Sequence, residues 1–441
     1  MQENKPIIPK VLIDFSGKKI KHLSELPSIE NPEEVKELWL FGNKIEEIDN
    51  LERFANLEQL HLDTNNISTI KSLNTLLKLR NLCLSHNRIV RIKGLEQLVN
   101  LEELDLIENR ILRIEGLEHL VCLKELRLND NKITRIEGVD KLQNLEILDL
   151  TGNDIQRIEH LDNLINLKEL RLSGSFTRIE GLDHLERLKD LTIQANNLER
   201  IEGLDHLHNL KNLIIRAHIP RMEGLKELTS LRQLLLDGCG IQRIEGLETL
   251  VNLQELNLSN NQINRIEGLD KLHSLTELNL GKNKIGRIED LFRLKRLESL
   301  CLDDNRIDRI VGVARLGKLK ALWLKNNCIT RIEDLGNLTN LASLDLRGNQ
   351  IRHIEGLERM GRLFHDLDLR DNLIEEIQGL AGLRLERFYI SGNPVPAALI
   401  EELGGLDNGN FNSGWALHPE KFVEYCRVHD AKQGREDASD T

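Results

Sequence analysis

Aromatic side chains make up only 3% of this 441-residue chain, so its packing falls almost wholly to aliphatic residues. The six cysteines, Cys83, Cys122, Cys239, Cys301, Cys328 and Cys426, form no C-x-x-C pair and no terminal cluster. That scatter excludes a disulfide framework and points to a reducing, cytoplasmic setting in which each thiol is a small apolar filler. No stretch reaches the roughly 18 uninterrupted apolar residues of a membrane span, and the opening MQENKPIIPK lacks the apolar core of a signal peptide. Positive charge is also short. A net charge of −12 argues against nucleic acid and anionic membranes as partners. Catalytic signatures are missing as well. There is no G-x-S-x-G, no phosphate loop ending G-K-[ST], and no repeated His/Cys spacing that suits a metal; His206-Leu207-His208 is an isolated pair. The expectation is a non-enzyme with no catalytic residue, metal or cofactor.

One pattern fills the space these absences leave. The stretch Leu145 to Leu164 carries leucine or isoleucine at Leu145, Leu148, Leu150, Ile155, Ile158, Leu161 and Leu164, with Asn153 among them. Aligned on that asparagine, the pattern recurs at Asn43, Asn65, Asn87, Asn109, Asn131, Asn153, Ser175, Asn196, His218, Cys239, Asn261, Asn283, Asn305, Asn327, Asn349, Asn372 and Asn393. These are seventeen copies of L-x-x-L-x-L-x-x-N at a period close to 22, the signature of a leucine-rich repeat. The L-x-L core, as in Leu148-Asp149-Leu150, has the in-out period of a short strand. One such strand cannot bury its two leucines alone, whereas identical neighbours stack it into a parallel sheet. The later apolar residues recur every third position, which suits tight turns and short 3-10 pieces better than α-helix. The asparagine answers a different need. Where the chain turns off the sheet, inward backbone groups left unpaired would each cost about 1–3 kcal/mol. An amide that donates and accepts satisfies them coil after coil.

The expected fold is therefore α/β: a right-handed leucine-rich-repeat solenoid, or horseshoe. It would have a concave parallel sheet of short strands, a convex side of turns and 3-10 pieces, and a helical C-terminal cap. Residues 1–34 read as an N-terminal cap in which Phe15, Ile20 and Leu23 mimic half a repeat, followed by a loop with Pro27 and Pro32. Residues 35–393 hold the repeats. The asparagine is lost at Ser175, His218 and Cys239, and the first two of those repeats are one residue short, so curvature or twist should change between Ser175 and Ile241. This is either drift at tolerated positions or the seat of a partner. Residues 394–430 form the C-terminal cap, with a short helix over 397–403 ended by Gly404-Gly405 and a second from Pro419. Phe422, Val423 and Tyr425 would cover the last leucines. Residues 431–441 read as a disordered tail.

Charge is arranged in columns. Twelve successive repeats place arginine before one apolar position: Arg91, Arg113, Arg135, Arg157, Arg178, Arg200, Arg221, Arg243, Arg265, Arg287, Arg309 and Arg331. Glutamate recurs two residues on, from Glu115 to Glu289, and offsets what would otherwise be a self-repelling column. The sheet's exposed face is where a solenoid has side chains free to bind. There Trp39 and Phe41 form an aromatic pair at one end, and Trp323 stands beside Lys325 nearer the other. Ile147, Ile214 and Leu235 put apolar groups where solvent is expected, flanked by Arg171 and Arg216, within the irregular repeats. These nine are the candidate partner-binding residues.

The repeats IEGLEHLVCLKELRLNDNKITR and IEGLETLVNLQELNLSNNQINR closely resemble the 22-residue class typified by the leucine-rich-repeat regulatory subunit of protein phosphatase one. The similarity covers residues 35–393. It implies a non-enzymatic scaffold, as in phosphatase regulators and spliceosomal or dynein-associated adaptors. The expected function is a monomeric cytoplasmic scaffold holding another protein on its concave face. The alternatives are a regulatory subunit of a serine/threonine phosphatase, a polyanion binder, and a purely structural spacer.

Overall fold

A computed structural model describes residues 12–357, 360, 363–407 and 413–436 of the chain. It divides into two units, Met1–His218 and Ile219–Thr441, taken here in turn. Each is a stack of solenoid coils with one parallel strand per coil.

In the first unit the strands are β1 (Leu12–Asp14), β2 (Glu37–Trp39), β3 (Gln59–His61), β4 (Asn81–Cys83), β5 (Glu103–Asp105), β6 (Glu125–Arg127), β7 (Ile147–Ile155), β8 (Glu169–Gly174), β9 (Asp190–Ala195) and β10 (Asn212–Arg216). Each pairs in parallel with the next, in a register that sets equivalent repeat positions side by side: Leu82 against Leu104, and Cys83 against Asp105. A representative coil closes on Leu104, Leu106, Ile111, Ile114, Leu117, Leu120 and Leu123, none more than 1% exposed. Burying a leucine or isoleucine fully contributes about 1.5–3 kcal/mol, so seven per coil dominate the energetics. On the far wall the leucines spaced by three sit on successive i+3 turns: Leu76 N–H donates to Leu73 C=O and Leu79 N–H to Leu76 C=O, both at 3.0 Å.

The asparagines do what their position requires. The Asn109 amide donates to Leu84 of the preceding coil at 3.0 Å and to its own coil at Leu106 and Ile107. Its oxygen accepts from Ile89 N–H at 2.9 Å. At the start, the chain before the first repeat joins the stack. β1 pairs with β2, and the Asn43 amide donates to Phe15 C=O at 2.9 Å.

The irregular repeats depart from expectation in an informative way. Asn196, placed in the ladder by its spacing, is exposed, while Ala195 is buried instead. The ladder therefore fails over the end of this unit at Ser175, Asn196 and His218 together. Where it fails, backbone pairs with backbone: β7 runs nine residues, β8 and β9 six each, against three for β2 to β6. Ser175 N–H donates to Ile155 C=O at 2.8 Å, a bond the extended sheet supplies in place of an amide.

The second unit contains β11 (Gln233–Leu235), β12 (Glu255–Asn257), β13 (Glu277–Asn279), β14 (Ser299–Cys301), β15 (Ala321–Trp323), β16 (Ser343–Asp345), β17 (Leu363–Asp368) and β18 (Arg384–Tyr389). They too pair in sequence and in parallel, and the ladder resumes at Asn261. Cys239, at an asparagine position, is fully buried, but Cys328 is exposed and Cys83 and Cys301 are half-buried on sheet faces, so the cysteines are not uniformly fillers. After β18 come α1 (Ala397–Glu402) and α2 (Pro419–Glu436). Phe422 meets Phe388 edge-on, centroids 5.4 Å apart, and Val423 is buried beside it. Tyr425 is half-buried and stacks on His429. α2 runs on to Glu436, into the stretch expected to be disordered. Ala431, Lys432, Gln433, Arg435 and Glu436 are strong helix formers that extend a helix already anchored by Phe422. Residues 437–441 lie outside the described residues.

Candidate functional site

Because the flanking leucines of every strand point inward, the residue between them must point to solvent. In the first unit these central residues bring together groups far apart in sequence. The rings of Trp39 and Phe41 lie 6.4 Å apart, and the Trp39 ring meets His61 edge-on at 5.7 Å. Phe41 is 40% exposed, which leaves one face of this aromatic cluster open. The Trp39 indole N–H is buried and finds no acceptor among the described residues. Next to the cluster a cavity of about 270 Å³ opens on the sheet face, lined by His61, Cys83, Glu103, Asp105, Glu125 and Arg127 among others. The Cys83 Sγ lies 3.6 Å from Asp105 Oδ2 and 3.4 Å from Ser85 Oγ. Burial pushes the Cys83 thiol up to about 12, with the Asp105 and Asp63 carboxylates adding to the shift. Burial likewise raises Glu125, which is paired with Arg127.

The remaining candidates fall in three places. Ile147 and Arg171 sit on β7 and β8. Ile147 is half-buried, and Arg171 bridges Asp149 at 3.5 Å and Glu169 at 2.5 Å. Ile214, half-buried, and Arg216, exposed, belong to β10. Leu235, half-buried, belongs to β11 in the second unit. Trp323 and Lys325 are half-buried there, with Trp323 in register between Cys301 and Asp345, and Lys325 N–H donating to Asp303 at 2.7 Å. Around them the sheet face is acidic. Burial raises Asp303, and it pushes Asp345 up to about 6, helped by the nearby Asp368 and Asp303 carboxylates. Asp368 holds Arg370 through the guanidinium, which in turn lies 4.6 Å over the Tyr389 ring. Neither the His61–Cys83 neighbourhood nor this Asp–Arg–Tyr group stands out along the chain. Reading down the columns at the repeat period is what reveals them.

The opposite edge of the coils is repetitive. Eight of the twelve column arginines reach the glutamate of the next coil, among them Arg91 to Glu115 at 2.9 Å, Arg243 to Glu267 at 3.0 Å and Arg309 to Glu333 at 2.7 Å, whereas Arg200 and Arg221 turn to Glu202 and Glu223 of their own coils. The glutamate column continues through Glu333 and Glu355. A wider groove of about 670 Å³ runs along Pro220 to Glu248 in the second unit. Its walls mix Arg221, Arg243 and Lys226 with Glu223, Glu245 and Glu248, so no single charge is gathered there.

Parallel coils closed by an asparagine ladder define a leucine-rich-repeat solenoid fold. A family profile described as "Leucine Rich repeats (2 copies)" matches residues 33–75, 78–119, 123–163, 229–271 and 317–359. No curated protein matches the chain by sequence. Among solved structures the chain is similar to a leucine-rich-repeat protein of Leptospira interrogans, at 27% identity and a TM-score of 0.72, covering 87% of this chain and 96% of that one. It is similar also to an internalin of Listeria monocytogenes, at 26% identity and a TM-score of 0.58, covering 73% and 89%. The Drosophila Toll–Spätzle complex shares the fold at 21% identity and a TM-score of 0.65, over 82% of this chain and 54% of that one. No helix among the described residues is long and apolar enough to cross a membrane.

Proposed function

We propose that this chain is a non-enzymatic scaffold that holds another protein on the exposed face of its sheets. What supports the reading is where the variety lies. The interior repeats leucine and asparagine, and the ladder edge repeats paired arginine and glutamate. The strand centres instead present Trp39, His61, Cys83, Asp105, Arg171 and Ile214, none repeating its neighbour. A surface that only had to be soluble has no need for half-buried tryptophan and isoleucine at strand centres, whereas aromatic and arginine side chains are the usual anchors of protein interfaces. A partner spanning several coils would meet the Trp39–Phe41 cluster and the acidic cavity beside it. Ten of the twelve column arginines already pair with a glutamate, which disfavours a polyanion, since that needs unpaired cations.

Six scattered cysteines with no C-x-x-C pair support a reducing, cytoplasmic setting. The finer reading, a phosphatase regulator, takes its support from the resemblance of the repeats and from the acidic face around Trp323.

The test is affinity capture from the native cell with wild type, Trp39→Ala/Phe41→Ala, Ile214→Asp, Trp323→Ala and, as a control on the ladder edge, Arg243→Ala. Proteins retained by wild type and Arg243→Ala but lost with a sheet-face variant are the expected outcome. A metallophosphatase among those lost with Trp323→Ala selects the finer reading. An identical set bound by all five forms refutes the proposal.

A further inference from the structure

On the sheet face of the first unit, His61, Asp63 and Cys83 each offer one ligand atom, and these three atoms lie within 4.8 Å of one another. The repeat geometry produces this meeting. His61 and Cys83 are direct partners in the β3–β4 register, and Asp63, two residues after His61, falls on the same side of the chain. All three side chains are half-buried, which leaves the cluster open to solvent on one side.

From this we propose a binding site for a zinc-class divalent cation, held by His61, Asp63 and Cys83 and left open at its remaining coordination position.

One imidazole nitrogen, one thiolate and one carboxylate make a borderline-soft donor set. Such a set favours zinc and its neighbours over magnesium or calcium, which take oxygen ligands. With metal–ligand distances of about 2.0–2.3 Å, tetrahedral geometry places donor atoms roughly 3.3–3.8 Å apart. From separations of at most 4.8 Å the three atoms need close by no more than about 1.5 Å, within the reach of side-chain rotation. The surroundings suit a cation. Asp105 Oδ1 accepts from Ile107 N–H at 3.0 Å, while Oδ2 stays 3.6 Å from Cys83 Sγ. Glu103 and Glu125 line the adjoining cavity and add negative charge. The Trp39 ring at 5.7 Å supports the His61 imidazole from the side away from Cys83. The second unit supplies an internal contrast. There Asn279 and Cys301 take the places of His61 and Cys83, and Gly281 takes that of Asp63, so two of the three donors are missing. The site does not depend on the chain having a protein partner.

The experiment uses the full chain, reduced and stripped of metal with chelator. Calorimetric titration with zinc chloride and absorption spectra with cobalt(II) are compared for wild type, His61→Gln, Cys83→Ser and Cys301→Ser. Circular dichroism confirms that each variant is folded. Wild type and Cys301→Ser should bind one zinc equivalent that magnesium does not displace, and should show a thiolate-to-cobalt charge-transfer band. Cys83→Ser should lose the band. His61→Gln should weaken zinc by more than the roughly 10–100-fold typical of losing an outer-shell partner alone. A cobalt spectrum unchanged by Cys83→Ser, or zinc affinity unchanged by His61→Gln, overturns the proposal.

Discussion

A Cβ atom on Gly174 would stand 2.0 Å from the carbonyl oxygen of Ile155. The two residues belong to adjacent strands, β8 and β7, and are paired where the asparagine ladder has lapsed. Backbone closeness at this point replaces the amide that the other coils use.

Gly174→Ala should therefore destabilise the first unit by about 1–3 kcal/mol, the usual cost of forcing atoms into a packed site. The clash is with backbone, which cannot rotate away. Urea denaturation followed by circular dichroism checks it; an unchanged midpoint would show that β7 and β8 separate freely.

Two asparagines at equivalent repeat positions should behave oppositely. Asn109→Ala strands the Ile89 N–H inside the stack, while the Leu84 and Leu106 carbonyls keep the Asn87 and Asn131 amides, a loss of about 1–3 kcal/mol given what an unsatisfied buried group costs. Asn196→Ala removes an exposed side chain and should shift stability by no more than about 0.5 kcal/mol. The difference between the two denaturation midpoints is the measurement.

Asp345 carries a pH dependence. Its raised pKa means that the folded state holds the proton more tightly than the unfolded state does. The favourable contribution is thus complete below the ordinary carboxyl value of 3.8 and is lost as pH rises through about 6. Asp345→Asn keeps an oxygen for the Arg347 N–H, which donates at 2.9 Å, and removes the charge. At about pH 7 it should stabilise the protein by about 1–2 kcal/mol after allowance for solvent screening, and the gain should vanish at about pH 4. A gain that persists in acid would assign the effect to packing.

The arginine–glutamate edge should prove dispensable one pair at a time. Arg309→Ala breaks a two-pronged contact with Glu333, yet both groups sit in water. Its denaturation midpoint should match wild type at high salt and differ little at low salt.

Much of the fold was legible because a solenoid turns sequence period directly into position. The leucines of each repeat had to be buried and Asn109 had to satisfy the turn, since each coil meets the same neighbours. The aromatic pair Trp39–Phe41 was legible for the same reason, as two residues on one side of a strand. The sequence failed at Asn196. It matches the repeat spacing, but the coils before and after it lack the amide, and an isolated amide has no column to join. The candidate metal ligands were missed because spacing was sought along the chain, whereas His61 and Cys83 meet across it.

Sequence alone determined that this is a stack of leucine-rich coils, that its interior is aliphatic, and that its variable chemistry lies at the strand centres, since each follows from a short motif repeated at one period. Only the tertiary structure decided which residues one repeat apart become neighbours with specific consequences: His61 beside Cys83, Asp345 among Asp303 and Asp368, and Gly174 against Ile155. Those outcomes depend on strand register and on where the amide ladder lapses, and both are set by contacts between coils.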